Sequence, residues 1–199
     1  MSVCKIGILF SGGVESTCLL YYYLGKNYLV YPIYVRCGFP WERLELENAR
    51  NLWHITKGRY KNLMPLAVVS LHRKRVKLNS LFIPLRNMTL ILSCANLLLS
   101  KGIKELAIGS LGIYPFPDNN SEYLKQVEKL ISSGAKQDFK LHAPFMGLEK
   151  AQVIEKFGKG VPIELTFSCI RPRKVKGRIV SCGACEKCKE RQEAISLLP

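Results

Sequence analysis

A short stretch near the start of the chain has the residue types that bind phosphate. It reads Ser11, Gly12, Gly13, Val14, Glu15, Ser16 and Thr17. Its glycines let the backbone turn tightly and approach an anion without Cβ atoms in the way, and the first amides of a following helix lack intrahelical partners. The stretch has neither the Gly-Lys-Ser/Thr of a Walker A loop nor a G-x-G-x-x-G fingerprint. The alternative interpretation is a tight strand-to-helix turn that binds nothing.

Four cysteines near the other end of the chain have the spacing of metal ligands. They are Cys169, Cys182, Cys185 and Cys188. Thiols at three-residue spacing, completed by one distant cysteine, can enclose one tetrahedral Zn²⁺, and such a structural zinc stabilises the fold. The alternative is an iron–sulfur cluster, although the ferredoxin run is only partly matched. The remaining cysteines (Cys4, Cys18, Cys37 and Cys94) lie singly in apolar surroundings, which predicts buried, unpaired thiols.

Composition narrows the class of protein. A length of 199 residues and a hydrophobic content of 48% suit one domain, or one domain with a small appendage. The net charge of +15 favours anionic partners such as nucleotides or RNA, or else reflects a solvated basic surface; denser basic runs occur at residues 73–77 and 171–178. We find neither a membrane helix nor a leader peptide, and we expect a cytoplasmic protein.

Strands and helices must alternate to position these residues. Apolar runs predict five strands, at residues 3–10, 28–35, 66–69, 106–109 and 139–142. Helical patterns follow them, at residues 18–25, 41–56, 88–99, 121–131 and 147–157. The alternation predicts an α/β fold with a doubly wound parallel sheet, whose ligands bind at the carboxyl ends of the strands. Pro32, inside the second strand, predicts an edge strand or a bulge.

The motifs resemble those of a known family. The glycine stretch is similar to the pyrophosphate loop (PP-loop) Ser-Gly-Gly-x-Asp-Ser-Thr of the ATP pyrophosphatases. With the cysteine tail, the chain resembles the 7-cyano-7-deazaguanine synthase (QueC) family. The segments that agree, in order, are residues 11–17, 82–87, 107–109 with 117–118, 144–150, and 161–169 with 182–194. The Thr-Phe-Ser-Cys stretch at residues 166–169, combined with C-x-x-C-x-x-C, is specific to that family.

The resemblance implies a fold, an activity and a set of site residues. It implies an adenine nucleotide α-hydrolase-like PP-loop domain at residues 1–165, with a zinc-binding segment at residues 166–199 packed on it. It also implies that ATP, with Mg²⁺, adenylates a small deazaguanine-like carboxylate, which ammonia converts to an amide and then a nitrile. The implied nucleotide-binding residues are Ser11, Gly12, Gly13, Val14, Glu15, Ser16, Thr17, Arg86 and Gly109; the implied catalytic residues are Ser16, Arg86 and Asp118. Known relatives form homodimers, which implies a homodimer here.

Departures from the family pattern keep other functions open. Glu15 stands where the family has aspartate, and the loops at residues 35–42 and 110–116, which form much of the substrate pocket, differ from the family's. One alternative is a tRNA-modifying enzyme that adenylates a base for sulfur insertion. Another is a non-catalytic nucleotide- or RNA-binding relative. The resemblance therefore supports the predicted fold, zinc site and ATP use more strongly than it supports the predicted substrate.

Overall fold

Five parallel strands form the central sheet, in the order β3-β2-β1-β4-β5. They are β1 (Lys5–Leu9), β2 (Leu29–Arg36), β3 (Ala67–Ser70), β4 (Glu105–Ala107) and β5 (Lys140–His142). The chain builds outward from β1 to β3 and then crosses to β4 on the other side of β1, so the switch point lies between β1 and β4. The structure is a computed structural model that describes residues 3–71 and 82–197; the predicted basic run at residues 73–77 lies outside them.

Helices cover both faces of the sheet. They are α1 (Val14–Gly25), α2 (Glu42–Lys57), α3 (Arg86–Leu99), α4 (Ser121–Ala135), α5 (Lys150–Phe157) and α6 (Glu186–Ser196). One core layer packs α1, α2 and α5 on the sheet around Ile8 and Leu19, and the other packs α3 and α4 around Leu98 and Val127. Two apolar layers around a parallel sheet confirm the predicted doubly wound α/β fold.

The starts of the helices differ in whether a side chain accepts hydrogen bonds from the first backbone amides. The Asn120 side chain accepts a hydrogen bond from the Tyr123 amide over 2.9 Å and so caps the start of α4. A capping box formed by Glu149 and Gln152 closes the start of α5. In contrast, Gly13, the residue that precedes α1, provides no side-chain cap. The start of α1 therefore leaves its first amides available to a ligand.

The interior position of β2 corrects the expectation that Pro32 marks an edge strand. Pro32 pairs with Ile8 of β1, and β3 lies on the other side of β2. The Val30 amide and carbonyl bond toward residues 62–64, so the ring nitrogen of Pro32, two residues on, faces the same side. Pairing on that side is interrupted until Ala67 meets Ile33. The missing donor of proline therefore coincides with a gap in the ladder.

The cysteine tail adds a small structured unit that the sequence analysis did not resolve. Two short strands, β6 (Arg173–Val175) and β7 (Arg178–Val180), form an antiparallel hairpin, and α6 follows. Ala194 of α6 is buried in the core layer of α1 and α5. Within residues 3–71 and 82–197, no helix is long and apolar enough to cross a membrane.

Candidate functional site

The glycine loop, residues 11–17, leaves β1 at the switch point of the sheet. Gly12 has a φ of +78°, and a Cβ added there would lie 3.1 Å from the Ala49 Cα on α2. A Cβ added at Gly109, just after β4, would lie 3.1 Å from the Glu15 Cβ. Because both approaches are tighter than side chains usually allow, glycine at each position lets the loop settle between α2 and β4.

The hydroxyl groups of the loop hold its own backbone. Ser16 Oγ donates to the Gly13 carbonyl over 3.1 Å, and Thr17 Oγ1 donates to the same carbonyl over 2.8 Å. The Ser11 amide lies 3.3 Å from Ser16 Oγ, which accepts its hydrogen. Ser16 and Thr17 are buried. In this structure these hydroxyls therefore shape the turn, whereas the sequence analysis assigned them to phosphate.

The amides at the start of α1 are the unpaired donors of the loop. In the part of the chain that the structure describes, the Val14, Glu15 and Ser16 amides have no acceptor. The first intrahelical bond runs from the Thr17 amide to the Gly13 carbonyl, at 3.0 Å. Free amides at the positive end of a helix form an anion site. The geometry thus supports phosphate binding at the loop.

A buried lysine beside the loop was missed by the sequence analysis. Lys150 Nζ lies 2.8 Å from Glu15 Oε1 and 3.7 Å from Glu190 Oε2, and the Lys150 side chain is only 8% exposed. Lysine is rarely buried unless paired, so this ion pair holds α1, α5 and α6 together. The only sequence signal was the position of Lys150 at the end of one family segment, residues 144–150.

Glu190 links the same network to the tail. Its carboxylate accepts a hydrogen bond from the Tyr114 hydroxyl over 2.8 Å and pairs with Lys187 at 3.1 Å. Burial acts to raise the pKa of Glu190, but Lys187, Tyr114 and Lys150 outweigh it and hold that pKa below its usual value. Glu190 is therefore a carboxylate at neutral pH, which is the form that pairs with Lys187 and Lys150.

Arg86 and Asp118, both predicted as catalytic, lie at the start of α3. Arg86 is exposed as the first residue of that helix. Asp118 is buried, and its Oδ2 accepts the Asn87 amide over 3.0 Å, while the Asn87 side chain donates to the Asp118 carbonyl. Asp118 thus caps α3 from the loop after β4. This contact gives Asp118 a structural role; its catalytic role stays a prediction.

The four tail cysteines converge on one point. The sulfur atoms of Cys169, Cys182, Cys185 and Cys188 all lie within 4.8 Å of one another. Cys188 Sγ lies 3.3 Å from Cys185 Sγ and 3.9 Å from Cys182 Sγ. Zinc–sulfur bonds of about 2.3 Å place tetrahedral sulfurs about 3.8 Å apart. The donor set and its spacing therefore fit one tetrahedral metal ion.

Backbone amides around the cluster favour thiolates. The Ala184 and Cys185 amides lower the pKa of Cys182 to about 6, whereas burial raises the pKa of Cys188 to about 12. The Arg171 and Cys182 amides also donate to Cys169 Sγ, at 3.4 and 3.3 Å. Metal binding must deprotonate the buried thiols, so uptake of a metal should release protons.

The predicted burial of the single cysteines is confirmed at three positions and is wrong at one. Cys18, Cys37 and Cys94 are buried, and no cysteine of the chain is in a disulfide. The prediction that Cys4 is buried was wrong. Cys4 is exposed because it precedes β1, beyond the part of the strand that the helices cover.

A backbone segment joins the metal cluster to the glycine loop. The Phe167 amide donates to the Gly12 carbonyl over 2.9 Å, and a Cβ added at Gly13 would lie 3.3 Å from Ser168 Oγ. The next residue, Cys169, is one of the four clustered thiols. The position of the glycine loop therefore depends on the folded structure of the cysteine tail.

Known proteins share this combination of sequence features. The family model described as "Queuosine biosynthesis protein QueC" matches residues 5–198. The 7-cyano-7-deazaguanine synthase 1 of Desulfitobacterium hafniense is 30% identical over 210 residues, which cover 97% of this chain and 92% of that protein. The 7-cyano-7-deazaguanine synthase of Methanoculleus marisnigri is 28% identical over 211 residues, covering 96% and 93%.

Solved structures with the same fold are more distant in sequence. A 4-thiouridine synthetase, solved as an RNA complex with bound ATP, matches with a TM-score of 0.55 and 17% identity, covering 98% of this chain and 54% of that one. The U34-tRNA thiolase NcsA from Methanococcus maripaludis, solved with its 4Fe–4S cluster, matches with a TM-score of 0.52 and 14% identity, covering 98% and 64%. At these identities the matches show a shared fold alone.

Proposed function

Because the chain belongs to the QueC family of queuosine biosynthesis proteins, we propose that it is a 7-cyano-7-deazaguanine synthase that uses ATP and ammonia. The relatives that match nearly its full length carry the synthase name. The observation that carries ATP use is the uncapped start of α1, whose free amides lie at the switch point of the sheet.

The proposed substrate is a carboxylate, which is a poor electrophile. Attack on the α-phosphate of ATP gives an acyl adenylate and pyrophosphate, ammonia displaces AMP to form an amide, and a second activation removes the amide oxygen to leave a nitrile. Most of the catalytic work is then positioning and electrostatic stabilisation of phosphate. The glycine loop supplies both through fixed amides.

We assign residue roles from their places around the loop. The amides of residues 14–16 bind the pyrophosphate. The hydroxyl groups of Ser11, Ser16 and Thr17 hold those amides in the orientation that binds it. Gly12, Gly13 and Gly109 permit the close packing of the loop on its neighbours. Arg86 supplies positive charge across the edge of the sheet. Asp118 holds the start of α3, and with it Arg86, in place.

Two metal ions belong to the proposal. Mg²⁺, when bound with ATP, supplies neutralising charge to the pyrophosphate; Glu15 could hold it, since Glu15 Oε2 has no partner among the described residues while Oε1 pairs with Lys150. Zn²⁺ in the four-cysteine cluster would be structural, because all four tetrahedral positions are filled by sulfur.

Three further proposals concern the cellular compartment, the oligomeric state and an RNA partner. Eight cysteines without a disulfide fit a reducing, cytoplasmic compartment. The family implies a homodimer, and the net charge of +15 leaves room for an RNA partner.

The thiolating alternative needs a cysteine that can carry sulfur near the loop. The four tail cysteines serve one cluster. Cys18, Cys37 and Cys94 are buried, and burial raises the pKa of Cys18 and of Cys94 to about 12, which disfavours the reactive thiolate. Cys4 is exposed but precedes β1, at the opposite edge of the sheet from the loop. None of these cysteines suits sulfur transfer, which favours the synthase.

Turnover of the proposed substrates tests the function. The protein, incubated with ATP, Mg²⁺, ammonium and 7-carboxy-7-deazaguanine, should form AMP and the nitrile, and Ser16→Ala should lower the rate about 100-fold because the loop amides lose their aim. Ser133→Ala, an exposed change on α4, is the matched control and should leave the rate unchanged. Liquid chromatography with mass detection follows both products. AMP formation no faster than that of Ser16→Ala would refute the synthase.

A further inference from the structure

A second polar cluster lies beside the glycine loop, and two of its three members, Tyr34 and Glu45, have no role in the assignments above. Tyr34 of β2, Glu45 of α2 and Arg86 of α3 meet at the carboxyl edge of the sheet. The Tyr34 hydroxyl donates to Glu45 Oε2 over 2.5 Å, and the Arg86 guanidinium is close enough to lower the pKa of both partners. Three elements that are separate in sequence thus converge on one carboxylate.

The position of α2 places Glu45 next to the loop. Ala49, whose Cα faces Gly12, lies one helical turn after Glu45, so the two residues share a face of α2. The helix starts at the carboxyl edge of the sheet, because it follows β2 directly. Glu45 therefore lies on the loop-facing side of α2, one turn closer than Ala49 to the edge where ligands bind.

Glu45 has a carboxylate oxygen to spare. Glu42, its neighbour on α2, uses both oxygens to accept the Cys37 and Gly38 amides, at 2.6 and 2.9 Å. Glu45 is half-buried, and its Oε1 has no hydrogen-bond partner among residues 3–71 and 82–197. One oxygen of Glu45 is anchored by Tyr34 while the other is available to a ligand.

The groups around Glu45 set its pKa near neutral pH. The titratable and charged groups that face it are Tyr34 from β2, Arg86 from α3 and Glu42 from its own helix. Burial raises the pKa of Glu45, the Tyr34 hydroxyl and Arg86 act to lower it, and Glu42 adds to the rise, so that the pKa lies at about 7. A side chain with such a pKa exchanges protons readily at neutral pH.

We propose that the Glu45 carboxylate accepts the proton that ammonium must lose before it attacks the acyl adenylate. This inference rests on the proposed synthase function. Glu45 Oε1 takes one proton from ammonium and frees the nitrogen lone pair. The nitrogen then bonds to the acyl carbon, and the bond from that carbon to the AMP oxygen breaks, with its electron pair remaining on AMP. The second proton leaves the nitrogen for the departing phosphate, and Glu45 returns its own to water.

The test separates the amination step from adenylation. Glu45→Gln should keep pyrophosphate exchange into ATP, dependent on the carboxylate substrate, within about threefold of the natural chain, while amide formation from ammonium at neutral pH falls about 100-fold. The defect should shrink as the pH rises, because free ammonia then becomes abundant. Hydroxylamine, which is uncharged at neutral pH, should give hydroxamate at close to the natural rate. Glu47→Gln, on the exposed side of α2 where Glu47 pairs with Lys174, is the matched control.

A second variant tests the contact with Tyr34. The rate should rise with pH as Glu45 loses its proton, and Tyr34→Phe removes a hydrogen bond that lowers the Glu45 pKa. The rising limb of the ammonium-dependent rate should therefore move to higher pH in Tyr34→Phe. A limb at the same pH as in the natural chain would overturn the inference.

The remaining outcomes also discriminate. Three results for Glu45→Gln would overturn the role of Glu45 without affecting the proposed synthase function. They are equal losses of rate with ammonium and with hydroxylamine, an unchanged amination rate, and the loss of pyrophosphate exchange together with amination. No exchange in the natural chain itself would overturn the proposed synthase function, and the inference with it.

Discussion

Replacing Cys185 with serine should strip the metal from the tail and lower the free energy of unfolding by at least about 3 kcal/mol. A structural zinc contributes about 10–16 kcal/mol of binding free energy in isolated zinc-finger peptides, and part of that is lost with one ligand. Helix α6 packs on the core layer of α1 and α5, but little else orders the rest of the tail. Its own buried cluster consists of Phe167 and cysteines, and all but one of the hairpin strand residues are exposed.

The effect should extend to the glycine loop. The Phe167 amide donates to the Gly12 carbonyl, and Cys169 follows two residues later. Loss of order in the tail should therefore weaken a hydrogen bond that holds the glycine loop in place. We expect the affinity for ATP to fall about tenfold in Cys185→Ser, which corresponds to the loss of about one hydrogen bond's free energy.

Elemental analysis, thermal unfolding and calorimetry with ATP measure these effects. Cys4→Ser is the matched control, since Cys4 is exposed and outside the cluster, and it should keep one metal ion per chain. Iron with inorganic sulfide instead of zinc would identify an iron–sulfur cluster. A Cys185→Ser protein that retains a full equivalent of metal and an unchanged melting temperature would contradict the metal site.

Replacing Lys150 with methionine should have the second-largest effect, a loss of about 3 kcal/mol in the free energy of unfolding. Lys150 lies between Glu15 and Glu190, and its side chain is 8% exposed. Methionine fills similar space but leaves two partly buried carboxylates without their shared cation, and breaking a buried pair from one side costs about 3–5 kcal/mol. Glu15 also loses the contact that fixes it on the first turn of α1, so AMP formation should fall sharply.

Denaturant titration and the AMP assay measure the Lys150 effect. Lys156→Met makes the same chemical change at an exposed position of α5 and should cost less than about 0.5 kcal/mol. Lys150→Arg keeps the charge and should recover part of the stability. If Lys150→Met and Lys156→Met unfold at the same denaturant concentration, the buried ion network does not contribute as its geometry indicates.

Local patterns of the sequence were enough to predict the fold class, the family and the clustering of the four tail cysteines. Alternating strand and helix periods can pack only as a layered parallel sheet, and the structure and the family match confirm that prediction. The free amides at the start of α1 could be predicted because they depend on neighbouring residues alone; phosphate binding by them stays a prediction. The cysteine spacing likewise predicted the convergence of four thiols, since a metal dictates its own ligand geometry.

Contacts between distant segments were decided by the tertiary structure. Lys150 looks in the sequence like an ordinary helix-start lysine, and only packing of α5 and α6 against α1 buries it between Glu15 and Glu190. Glu45 looks like one of several glutamates on a polar helix face until Tyr34 and Arg86 reach it from other elements. Burial and long-range charge set the chemistry of both side chains, and neither quantity is carried by local spacing.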